Sequence, residues 1–222
     1  MINPKTITET IGTALLVFTI QVAVASGSDL APLAIAAILI SAVFAGGPVS
    51  GAHYNPAVSL AIVLRGGMTV AEMIPYMIAQ VVGGTLGGFL GGTVSGSFAT
   101  VTMGANATLV QALLAEVFVT FALCFVVLSV ATNPKVDGNH YYGLAIGLVV
   151  LSGAIGVGGI SGGAFNPAVA LGLSFAGALS NLPYGVMVSS TNLVGGAIAA
   201  VCYLACNTEP SGTSGETTSL IA

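Results

Sequence analysis

An eleven-residue segment occurs twice in this chain. Ser50-Gly51-Ala52-His53-Tyr54-Asn55-Pro56-Ala57-Val58-Ser59-Leu60 returns 111 positions later as Ser161-Gly162-Gly163-Ala164-Phe165-Asn166-Pro167-Ala168-Val169-Ala170-Leu171, with seven of the eleven positions identical. Around the two copies lie six apolar runs of about 20 residues, the length that crosses a bilayer core. They fall near 7–25, 31–51, 71–93, 109–131, 141–160 and 184–206. Each copy opens a shorter apolar piece, near 55–65 and 166–176, too short to span and placed inside a connection. Such a piece reads as a re-entrant half-helix. Glu9 and Glu116 hold matching places near the start of each half. Three spans and one half-helix make up each half, and three is odd. The second half therefore enters the membrane from the opposite face, which makes the chain an inverted repeat. The expected architecture is an all-α membrane protein of six transmembrane helices and two re-entrant half-helices, one domain over 1–206 with halves near 1–105 and 106–206. The Ser/Thr/Gly-rich stretch 207–222 reads as a disordered cytoplasmic tail.

Composition agrees and excludes other classes. Of 222 residues, 3 are Lys or Arg and 7 are Asp or Glu, where soluble domains carry roughly a quarter charged residues. A charged coat for a water-soluble fold is lacking, and 55% hydrophobic content excludes a disordered chain. Three scattered cations and a net charge of -4 offer no basic patch, so nucleic acid is not a partner. No nucleophile-base-acid set, metal cluster or phosphate loop points to an enzyme, a metal or a cofactor. Cys124, Cys202 and Cys206 lie in apolar runs and read as small hydrophobes. Lys5 followed by an apolar run ending in Ala23-Val24-Ala25 imitates a secretory signal, yet this segment belongs to the repeat and is read as a span. With the N-terminus inside, Lys5, Arg65 and Lys135 all become cytoplasmic, and so do both termini.

Asparagine is a favoured helix N-cap and proline a favoured first helical residue, so each Asn-Pro-Ala begins a half-helix at Asn. Eleven residues make roughly 16 Å at 1.5 Å per residue, about half of a ~30 Å core. The two N-termini meet near the midplane. There two helix dipoles converge, each equivalent to roughly half a positive charge, and repel cations. With the side-chain oxygens of Asn55 and Asn166 committed to capping, their amide NH2 groups are left to donate toward the lumen. A passing water can accept there but not donate, which interrupts a proton wire while neutral solutes pass.

With these residues in view, the sequence resembles the aquaporins and aquaglyceroporins of the major intrinsic protein family. The likeness rests on the paired motifs Asn55-Pro56-Ala57 and Asn166-Pro167-Ala168, on Glu9 and Glu116, and on six spans covering nearly the whole chain. It implies a homotetramer with one pore per subunit, open to water and small neutral solutes. It implies loop-anchoring roles for Glu9 and Glu116 and a place in the inner vestibule for His53. It also implies a four-position constriction that falls here on Ile35, Ala154, Gly163 and Val169. Typical water-selective members place a large aromatic residue, His, a small residue and Arg in that ring, so this chain departs at most of it. A wider, apolar ring without a fixed cation tilts the expectation toward glycerol, urea or ammonia as well as water. The competing readings are a secondary transporter with a midplane site, which would need a coupling-ion site, and a non-conducting structural membrane protein. The expected location is a plasma membrane or bacterial inner membrane.

Span three carries Gly83, Gly87 and Gly91 beside Gly84, Gly88 and Gly92, a spacing that lets helices approach closely within or between subunits. Since the chain has no Trp, Tyr76, Tyr141, Tyr142, Tyr184 and Tyr203 are the only candidates for tyrosine or tryptophan anchors at the interfaces.

Overall fold

The structure, a computed structural model, describes residues 3–207. Eight α-helices are present among them: α1 Pro4–Ala25, α2 Ala31–Ser50, α3 Pro56–Leu64, α4 Val70–Ser95, α5 Leu109–Ala131, α6 Tyr142–Ser161, α7 Pro167–Ala176 and α8 Leu182–Asn207. Six of these are long and apolar enough to cross a membrane. The chain is an integral membrane protein. The helices α3 and α7 have 9 and 10 residues, about 14–15 Å at 1.5 Å per residue, slightly shorter than the spacing of apolar residues suggested. Of the expected tail, only Asn207 is described, and it ends α8; the rest lies outside the described residues.

Starts and stops follow local chemistry. Asn3, Asn55 and Asn166 cap α1, α3 and α7 with a proline at the next position. Thr69 with Glu72, and Thr108 with Gln111, form capping boxes at α4 and α5. α2 and α6 end on Gly51 at φ 83 and Gly162 at φ 90, left-handed positions that glycine takes without strain.

An odd number of spans per half puts the start of α1, α3 and the end of α8 on one side, here the terminal side, and α7 on the other, the far side. Each half-helix packs against a span of the opposite half, and glycine makes the contact. A Cβ on Gly84 would lie 2.4 Å from the Ala168 carbonyl oxygen of α7, and one on Gly196 of α8 would lie 2.6 Å from the Ala57 carbonyl oxygen of α3. The same two spans lie against their own half's first helix through the neighbouring glycines. A Cβ on Gly83 or Gly87 would lie 2.3 or 2.2 Å from the Thr10 or Ala14 carbonyl oxygen of α1, and one on Gly195 would lie 2.5 Å from the Val117 carbonyl oxygen of α5. The small residues of span three therefore act inside the chain, joining α4 to α1 on one face and to α7 on the other.

Candidate functional site: a two-sided midplane passage

The segments leading into α3 and α7 are extended inside the protein, where exposed backbone N–H groups need acceptors. Glu9 and Glu116, both 0% exposed, supply them by the same pattern. Glu9 accepts from Ser50 Oγ at 2.7 Å, His53 N at 3.0 Å, Tyr54 N at 2.7 Å and Gln80 Nε2 at 2.8 Å. Glu116 accepts from Ser161 Oγ at 2.7 Å, Ala164 N at 3.0 Å, Phe165 N at 2.8 Å and Asn192 Nδ2 at 2.8 Å. Each of the four carboxylate oxygens takes two donors. These bonds hold Tyr54 at φ 49 and Phe165 at φ 50, left-handed conformations that bulky residues adopt only under constraint.

Tyr76 and Tyr184 belong to the same frame. Both are buried, and their hydroxyls donate to the Ser50 and Ser161 carbonyls at 2.9 and 2.8 Å. Tyr203 is buried as well, and the Arg65 guanidinium lies 5.9 Å from its ring centre. The expectation that these three anchor the interfaces is therefore corrected, while Tyr141 is exposed. A tyrosine in an apolar run reads the same whether its hydroxyl meets water or a buried carbonyl. Tyr76→Phe and Tyr184→Phe should each lower stability by about 1 kcal/mol, the net worth of one hydrogen bond, read as a lower melting midpoint with the loops still formed.

At the midplane each Asn oxygen caps its own helix: Asn55 Oδ1 accepts from Ala57 N at 2.9 Å and Asn166 Oδ1 from Ala168 N at 2.8 Å. The amide nitrogens are not wholly free, as the motif suggested. Asn55 Nδ2 donates to the Phe165 carbonyl at 2.9 Å, and Asn166 Nδ2 donates to the Tyr54 carbonyl at 2.8 Å. Each asparagine thus clips the opposite loop with one amide hydrogen, leaving the second.

Two cavities share His53, two residues before Asn55. The far-side cavity, about 410 Å³, is bordered by Asn55 and Asn166 together with Ile35, Ala154, Gly163 and Val169. The terminal-side cavity, about 440 Å³, is bordered by Lys5, Met68, Glu72 and Tyr76. His53 borders both. Its Nδ1 lies 3.0 Å from Ser59 Oγ, which also accepts from Gln80 Nε2 at 3.0 Å, and its ring centre is 5.1 Å from that of Tyr76. Pro56, Pro167, Ala57 and Ala168 are buried at the start of the half-helices and shape them rather than bordering either cavity. Gly163 has φ 65, so glycine there serves the backbone as well as the width of the passage. No group of three or more His, Cys, Asp or Glu suited to a metal occurs among the described residues.

Sequence reasoning missed Gln80 and Asn192, the second-row donors to the two glutamates. Their signal was present: an amide inside an apolar span must find a partner, and the two sit 112 positions apart, close to the offset of the repeat.

The family model described as Major intrinsic protein matches residues 2–203. The chain is 33% identical over 215 residues to Glycerol uptake facilitator protein-like 6 of Lactiplantibacillus plantarum, covering 89% of this chain and 95% of that protein. It is 32% identical over 168 residues to Aquaporin TIP2-1 of Arabidopsis thaliana, covering 74% of this chain and 66% of that one. The fold matches the structure of an aquaglyceroporin from Plasmodium falciparum with a TM-score of 0.81 at 22% identity, over 90% of this chain and 94% of the other. With paired half-helices held by paired glutamates, and a family match over nearly its whole length, this chain belongs to the major intrinsic protein family.

Proposed function

We propose that the chain is a passive channel for water and small neutral solutes, with glycerol, urea or ammonia among them. The observation that carries this reading is a pair of cavities that share His53, the far-side one reaching Asn55 and Asn166 and lined largely by apolar residues. Cations are opposed at the midplane by the two converging helix N-termini. The second amide hydrogen of each asparagine serves as a donor to the passing oxygen. Ile35, Ala154, Gly163 and Val169 form the constriction, and the absence of a fixed cation there favours solutes bulkier than water. The relatives named above as a glycerol uptake facilitator and an aquaporin support both solute classes.

Lys5, Arg65 and Lys135 lie on the terminal side, which we assign to the cytoplasm together with both termini. The assembly is a homotetramer in a plasma or bacterial inner membrane. One channel domain spans 1–206, and no catalytic step belongs to this reading. A coupled transporter is disfavoured because every oxygen of Glu9 and Glu116 already accepts from the protein itself, leaving no intramembrane carboxylate for an ion among the described residues.

Stopped-flow light scattering on proteoliposomes tests the reading. The native chain should pass water and glycerol, and Val169→Arg, which adds a cation and five donors to the far-side wall, should reduce glycerol flux about tenfold with a smaller effect on water. Water flux with no glycerol flux in the native protein overturns the solute assignment. Saturable, ion-dependent uptake overturns the channel.

A further inference from the structure

We propose that Gly158 is a size-determining position of the passage, in addition to the four constriction residues; this rests on the channel reading above. Along α6 the residues bordering the far-side cavity include Ile146, Val150, Ala154 and Gly158 at four-residue spacing, with Gly159 beside the last. Residues so spaced share one helix face. Their side chains shrink steadily toward the far side until none remains at Gly158. The neighbouring helix α2 keeps branched side chains along the same cavity at Ile35, Leu39 and Val43. The width of the outer passage is therefore set on the α6 wall, and its last member stands level with the constriction. A Cβ on Gly163 would lie 3.2 Å from Gly158 Cα.

Glycine inside a helix is less favourable than alanine by about 1 kcal/mol, so its presence calls for a reason. At Gly147 and Gly153 of α6 the reason is packing. A Cβ on Gly147 would lie 2.3 Å from Ile40, and one on Gly153 would lie 2.4 Å from Val119. At Gly158 a Cβ would meet nothing within 4 Å, and no left-handed backbone demands glycine. What glycine provides there is open space in the cavity. Gly163 cannot supply the same adjustment, since its φ of 65 strains any other residue. Position 158 is where a side chain can narrow the passage with the fold left intact.

Gly156 is the internal control. A Cβ there also meets nothing within 4 Å, but Gly156 does not border the cavity. Both glycines lie in α6, and leucine is the better helix former at either place.

The test compares water and glycerol permeability of proteoliposomes for the native chain, Gly158→Leu, Gly158→Ala and Gly156→Leu. Gly158→Leu should lower the glycerol-to-water ratio about tenfold, Gly158→Ala by a smaller factor, and Gly156→Leu should keep the native ratio. A native ratio in Gly158→Leu overturns the inference, as does an equal loss in Gly156→Leu. If the native chain passes water alone, the solute assignment falls separately, and the inference is then read from water flux. A loss at 158 without one at 156 upholds it, and no loss overturns it. A native chain that passes neither overturns both.

Discussion

Glu116→Leu is expected to leave no conducting protein. Four donors end on this carboxylate: the Ser161 hydroxyl, the Ala164 and Phe165 amides, and the Asn192 side chain. Leucine accepts nothing, and the site is closed to water. Each buried donor left unmade costs about 1–3 kcal/mol, so three or four together rival the ~5–15 kcal/mol that holds a typical native protein. The strain at Phe165, φ 50, then has nothing to oppose it. The chain around Asn166 leaves its place, and with it the clip from Asn166 Nδ2 to the Tyr54 carbonyl. Folded yield in detergent should collapse, and any reconstituted material should show the water permeability of empty liposomes. Glu116→Gln separates charge from acceptor number, because it keeps one acceptor and adds a donor where donors already converge. It should retain a fraction of folded protein. Native melting and native flux in Glu116→Leu would show that the carboxylate does not hold the loop.

Gly84→Leu should be nearly as damaging by an opposite route. A Cβ at Gly84 would stand 2.4 Å from the Ala168 carbonyl oxygen, and that oxygen is helix backbone that cannot swing aside. Even alanine forces α4 and α7 apart, and overpacking of this kind costs about 1–3 kcal/mol; leucine adds three more carbons to the same clash. The displacement also reaches the passage, since α7 carries Val169 and is capped by Asn166. Gly84→Ala should therefore lower the melting midpoint and alter flux, and Gly84→Leu should not accumulate as folded protein. Gly156→Ala, where a Cβ meets nothing within 4 Å, should do neither. Equal tolerance at 84 and 156 would contradict the close approach of α4 to α7.

Much of this was readable beforehand because the repeat ties local motif to global topology. Asn-Pro at a helix start needs only neighbouring residues to be interpreted, and Glu9 with Glu116 stands out as charge in an apolar run. What stayed hidden depends on partners far away in sequence. The Asn55 amide meets the Phe165 carbonyl 110 positions on, and nothing near Asn55 announces it. The glycine spacing of span three was visible, but not that one set faces α1 and the other α7. Tyr76 and Tyr184 looked like interface anchors because amphipathic rings suit both places, and only the position of the Ser50 and Ser161 carbonyls decides between them. Gly158 escaped notice for a related reason: its meaning lies in the absence of any neighbour.

The reciprocal clips between the loops bear on how the protein is made. When a ribosome has delivered only the first half, Glu9 can already gather its donors from Ser50, His53, Tyr54 and Gln80, all within that half. The Asn55 amide and the groove at Gly84 still lack their counterparts, which arrive with Phe165, Ala168 and α7. The nascent first half thus inserts with its loop braced and its midplane face unfinished. Closure needs the second half in place in its inverted orientation, so the passage cannot be complete before Phe165, Ala168 and α7 have been made.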